Sequence, residues 1–93
     1  MSLKTETLSL LFVEYLPEKE KVEPGIFYYA KEFDVSAHLC PCGCGGVVNL
    51  FYHRLDNGWG IDLQTLTITP SIYSYQWPCK SHYFITNGEV KWV

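Results

Sequence analysis

No stretch of the 93-residue chain is long and apolar enough to cross a bilayer. The longest, Leu8 to Val13, is interrupted by Ser9 and falls far short of the roughly 20 residues a spanning helix needs. The N-terminus also lacks a secretory pattern, since Lys4 and Glu6 lead only into that brief run, with no small-residue cleavage site. Basic charge is scarce: seven Lys and Arg against ten Asp and Glu leave a net charge of −3. That balance argues against a nucleic-acid partner, which normally meets a basic face, and with no spanning stretch no membrane partner is expected either. Paired C-x-x-C motifs and the G-x-S-x-G elbow are absent, as are internal repeats and low-complexity segments. No window carries an apolar helical stripe with caps at its ends. At 93 residues the chain is expected to be one domain over 1–93, and with no export signal its expected place is the cytoplasm.

What the chain does have is a concentration of sulfur. His38-Leu39-Cys40-Pro41-Cys42-Gly43-Cys44-Gly45-Gly46 holds three of the four cysteines, and Cys79 follows in Trp77-Pro78-Cys79-Lys80-Ser81-His82. Three-plus-one thiolates meet the demand of a tetrahedral structural zinc, Zn2+. The intervening glycines and proline let the backbone bend tightly enough to aim successive sulfurs at one point. A C-x-C disulfide closes too small a ring to keep ordinary geometry comfortably. Free thiols held for a metal suit a reducing compartment. Two histidines compete for a place in the shell: His82 stands in C-x-x-H spacing after Cys79, and His38 precedes Cys40. A chain of this length buries about 60 to 70 % of its unfolded surface, a thin margin. A metal bound only by the folded form adds to that margin directly.

The remaining segments read as strands and turns. Leu8–Tyr15 has the content of a buried strand. Pro17-Glu18-Lys19-Glu20-Lys21 is a solvated charge run, and Glu23-Pro24-Gly25-Ile26 suits a type II turn. Ile26–Ala30 and Asp34–Leu39 form a hairpin leading to the cysteine knuckle, and Val47–His53 follows as a strand. Asn57-Gly58 and Asn87-Gly88 are hairpin turns, because both residues tolerate positive φ. Thr65–Thr69 alternates like a half-wet strand that Pro70 ends. His82–Thr86 and Glu89–Val93 close the chain. The fold expected is all-β, small and mostly antiparallel: a zinc-ribbon-like domain stapled by one four-cysteine zinc site of Cys40, Cys42, Cys44 and Cys79. Trp59, Trp77, Trp92 and most tyrosines are expected in core and cross-strand packing.

Four cysteines around one ion close its coordination, so any chemistry must come from elsewhere. His82 is either a strand histidine packed near the metal or a general base. As a base it needs a hydroxyl partner, and Ser71, held on a loop after Pro70, is the best candidate. Ser81 is weaker, because adjacent strand side chains face opposite ways. Asp62 or Asp34 is available to orient the imidazole, and a dyad is the alternative.

Beyond these spacings, the chain from Glu23 onward resembles a domain-of-unknown-function family of small bacterial proteins. The resemblance rests on Glu23-Pro24-Gly25, His38-x-Cys40-Pro41-Cys42-Gly43-Cys44-Gly45, Trp59 and Pro70-Ser71-Ile72. It continues through Pro78-Cys79-x-Ser81-His82-Tyr83-x-Ile85-x-Asn87-Gly88-x-Val90-x-Trp92. Some members are encoded beside ubiquitin-like conjugation genes and are viewed as serine peptidases acting on the modifier or its conjugates. The resemblance implies Ser71 and His82 as the catalytic pair and the four cysteines as zinc ligands. One departure stands out: Tyr73-Ser74-Tyr75-Gln76 replaces a glycine-containing turn, making the approach to Ser71 bulkier. The competing expectation is a non-catalytic zinc-ribbon-like module that docks a protein partner through aromatics near Tyr75 and Trp77.

Overall fold

A computed structural model describes residues 6–52, 60–73, 79 and 81–93. Among these, eight strands form two four-stranded sheets. The first sheet orders β1 (Ser9–Val13), β2 (Ile26–Ala30), β3 (Val35–Leu39) and β4 (Val47–Phe51). The second orders β5 (Gly60–Asp62), β6 (Thr67–Tyr73), β7 (His82–Thr86) and β8 (Glu89–Trp92). All pairings are antiparallel except β1 with β2. The all-β, mostly antiparallel expectation holds. The charge run contributes a single 3-10 turn, Lys19–Lys21. No helix among the described residues is long and apolar enough to cross a membrane.

The two sheets share one core. Phe27 and Tyr29 of β2 and Val48 and Leu50 of β4 pack with Ile68 and Ile72 of β6, Tyr83 and Ile85 of β7, and Val90 of β8. At their centre His38 is fully buried, stacked on Phe27 at 5.3 Å, with Nε2 2.7 Å from the Tyr83 hydroxyl. That hydrogen bond joins β3 of one sheet to β7 of the other. Burial pushes the imidazole down to about 3, so it stays neutral.

Residues 6–8 link the sheets by their backbone. Leu8 N–H donates to Gly88 O at 2.7 Å, Val90 N–H donates to Glu6 O at 2.8 Å, and the chain then turns into β1 beside β2. The expected strand over Leu8–Tyr15 is therefore shorter and wetter than its composition suggests. Leu8 is buried in the core, but Leu11 and Phe12 are exposed because β1 is an edge strand. Its parallel pairing reflects the long return through the turn at Gly25 (φ +79°), whose conformation suits the type II geometry. Asn87 and Gly88 both take positive φ, as the β7–β8 hairpin turn requires. The Asn57-Gly58 turn, Trp59, Tyr75 and Trp77 lie outside the described residues.

Pro70 does not end its strand. β6 runs through it to Tyr73, against the expectation that Thr69 is the last strand residue. The pairings Ile68↔Ile85 and Ile72↔Tyr83 leave Thr69, Pro70 and Ser71 opposite Phe84 alone. This bulge accommodates a residue without an N–H, because no ladder bond is required there.

Candidate active site and sulfur cluster

The knuckle is the seven-residue connection between β3 and β4, closed by Cys40 N–H donating to Gly46 O at 2.8 Å. Gly43 N–H donates to Cys40 O at 3.1 Å, and Gly43 and Gly45 adopt φ of +92° and +87°. Gly43 thus turns the chain between Cys42 and Cys44, and Gly45 turns it out of the knuckle toward β4. Cys79, just before β7, completes the group, and all four Sγ atoms lie within 4.8 Å of one another. Sulfurs held about 2.3 Å from a tetrahedral ion sit about 3.8 Å apart. The separations of 3.4 Å (Cys40–Cys42), 3.9 Å (Cys40–Cys79) and 3.8 Å (Cys44–Cys79) bracket that value. None approaches the roughly 2.05 Å of a disulfide, and all four cysteines are free. The donor set thus fits a soft or borderline metal ion. Cys40 is buried and Cys44 exposed. Beside them opens a cleft of about 510 Å³, walled by Cys44, Cys79, Val47 and Asn49 and overhung by Pro17 and Lys19.

Neither histidine joins the sulfurs among the described residues. His38 turns into the core toward Tyr83, and His82 bonds elsewhere. The group that does join them is Ser81. Its hydroxyl accepts from Cys40 Sγ at 3.3 Å and donates to Cys79 Sγ at 3.4 Å. Alternation correctly turns Ser81 away from the His82 face, but it lands on the sulfurs. Its position two residues after a cysteine was the available signal. Burial pushes the Cys40 thiol up to about 12, whereas hydrogen bonding from Ser81 holds Cys79 down at about 7. Burial also raises Cys44.

The same end of the second sheet carries Ser71 and His82. Ser71 belongs to β6 rather than to a loop, on the residue before buried Ile72. Its side chain therefore shares the outer face with Tyr73, and Tyr73 is the direct cross-strand partner of His82. The bulge carries the hydroxyl toward the imidazole: Ser71 Oγ lies 2.7 Å from His82 Nε2. In the Nδ1–H tautomer the hydroxyl donates to Nε2. Tyr73, half exposed, stacks on the imidazole with ring centroids 4.9 Å apart and planes 21° from parallel. Composition and spacing carry no sign of this contact, since it depends on cross-strand register.

Neither suggested carboxylate reaches the pair. Asp62 is opposite Thr67, six residues and about 20 Å along β6 from Tyr73, and accepts from Gln64 N–H at 3.0 Å. Asp34 occupies the far end of β3 from the knuckle and accepts the Tyr29 hydroxyl at 2.6 Å. Buried Tyr29 is pushed up to about 12 by desolvation and by that carboxylate.

A serine hydroxyl hydrogen-bonded to an imidazole is how serine hydrolases prepare a nucleophile, and here it stands on a small β domain with a four-sulfur cluster. The chain belongs to the family described as bacterial ubiquitination-like system serine protease (BubE), whose model matches residues 12–93. No curated protein and no solved structure matches it.

Proposed function

We propose that the protein is a zinc-stabilised serine peptidase in which Ser71 is the nucleophile and His82 the general base. Its substrate is the precursor or a conjugate of a ubiquitin-like modifier, in keeping with the family's ubiquitination-like system. The supporting observation is the 2.7 Å contact between Ser71 Oγ and His82 Nε2. In this reading Oγ attacks the scissile carbonyl as its proton passes to Nε2, and backbone amides near Ser71 hold the oxyanion. The imidazolium then protonates the leaving amine, and water, activated by the same imidazole, releases the acyl group.

Cys40, Cys42, Cys44 and Cys79 would hold the zinc as four thiolates, leaving it no open position for chemistry, and it would tie the knuckle to the segment entering β7. That tie is the zinc-ribbon-like part of the domain. Cys79 stands three residues before His82, so the clasp fixes where the base begins its strand. Free thiols in such a cluster suit the cytoplasm.

A fluorophosphonate probe tests the assignment. Wild-type protein is expected to be labelled at Ser71, and Ser71→Ala to lose both labelling and cleavage of the modifier precursor while keeping its metal and its melting temperature. Cleavage by Ser71→Ala would refute the assignment. Saturable binding to the modifier without cleavage by either protein would favour the docking-module reading instead.

A further inference from the structure

We propose that Tyr73 is a positioning residue that holds and stabilises the His82 imidazole by stacking, the task a carboxylate performs in a triad. The inference rests on the Ser71–His82 assignment. An imidazole that must present Nε2 to a hydroxyl needs its ring rotation fixed, and the imidazolium formed on proton transfer needs electrostatic support. Among the described residues no carboxylate hydrogen-bonds to His82, and Asp34 and Asp62 are both engaged elsewhere.

The group that does lie against His82 is an aromatic face. Tyr73 and His82 are register partners on β6 and β7, their rings 4.9 Å apart and 21° from parallel. Near-parallel stacking restricts rotation of the histidine ring about χ2 while Nε2 stays 2.7 Å from Ser71 Oγ. The negative π-face of the phenol ring also lies against the ring on which positive charge develops as the Ser71 proton is transferred. Ring and hydroxyl reach the same side of the sheet because Ser71 and Tyr73 are two apart on one strand. The bulge at Thr69–Ser71 then shifts the serine into reach without disturbing the Tyr73–His82 pairing. Among the described residues, backbone register rather than a third acidic residue thus sets the geometry of the dyad.

Fluorophosphonate labelling reads this role without a protein substrate. The Ser71 Oγ–P bond forms, the P–F bond breaks, fluoride leaves, and the hydroxyl proton passes to His82 Nε2. Tyr73→Leu is expected to lower the maximal inactivation rate about three- to tenfold, the size of effect a ring–imidazole contact carries. The probe concentration giving half-maximal rate is expected to change less than about twofold. Tyr73→Phe and Tyr73→Trp, which keep a ring face, are expected to label within about twofold of wild type.

Three results overturn the proposal: Tyr73→Leu at the wild-type rate, a loss in half-saturating concentration alone, or Tyr73→Phe as slow as Tyr73→Leu. The last would assign the effect to the phenol hydroxyl. Melting temperature and metal content, measured on each variant, separate a positioning effect from a folding defect, and Tyr73→Trp retains the ring if Leu destabilises the strand. Failure of the dyad itself looks different, because wild-type protein would then go unlabelled at Ser71 or Ser71→Ala would still cleave the modifier precursor.

Discussion

Ser81 is hydrogen-bonded to two of the four sulfurs, and its neighbour His82 to the candidate nucleophile. Ser81, just before β7, and His82, its first residue, thus point to opposite sides, one hydrogen-bonded within the sulfur cluster and the other bonded to a serine. A hydroxyl donating to a metal thiolate spreads its charge and fixes the sulfur's direction, and losing such an outer partner typically costs about 10- to 100-fold in metal affinity. On the proposed zinc site, Ser81→Ala is therefore expected to give up zinc to a competing chelator about tenfold more readily than wild type. Ser81→Thr, which keeps the hydroxyl, is expected to hold it better than Ser81→Ala. Competition against a colorimetric zinc indicator measures this, and equal release from wild type and Ser81→Ala would remove Ser81 from the metal's environment.

Strands and turns carry a second class of expectation. Gly88 sits at φ +75°, and a Cβ placed on it would meet Leu8 O at 3.1 Å. It therefore closes the β7–β8 turn and receives the segment that crosses between sheets. Gly25 shares the positive φ, but its nearest contact would be Thr7 O at 3.9 Å, an ordinary distance. Gly88→Ala should thus cost more than Gly25→Ala, about 2 against about 1 kcal/mol, since the first adds a steric clash to the backbone strain both share. Urea unfolding of the two variants decides it, and equal midpoints would show that the Leu8 contact relaxes freely. Both turns were legible in the sequence, because Pro-Gly and Asn-Gly carry their φ requirements in their side chains. The sulfur cluster was legible for a similar reason: ligand chemistry narrows what four cysteines in three-plus-one spacing can do. The fate of Pro70 was not, since a proline marks a strand end or a bulge equally well, and only the pairing of β6 with β7 decides between them. The parallel placement of β1 and the stack of Tyr73 on His82 stayed hidden for the same cause, as both depend on partners distant in the chain.

At the scale of the whole molecule, the two sheets are joined by a shared core, by the His38–Tyr83 hydrogen bond and by the crossing of residues 6–8. A metal held by the four cysteines would add a fourth tie, between the β3–β4 knuckle and the segment before β7. For a chain of 93 residues such a tie would be a large share of the stability available. Losing about 3 kcal/mol moves the melting temperature of such a domain by about 12 to 24 °C. Stripping the metal with a chelator is accordingly expected to lower the melting temperature by at least about 10 °C, and adding zinc back to restore it. Labelling of Ser71, measured well below the lowered transition, separates local from global effects. Cys79 tethers the start of β7, so His82 is expected to lose its fixed register before the core between the sheets opens, and labelling to slow although the protein remains folded. A stripped protein that melts and labels as the loaded one does would leave the four sulfurs without a structural role, and the Ser71–His82 pair would then be held by strand pairing alone.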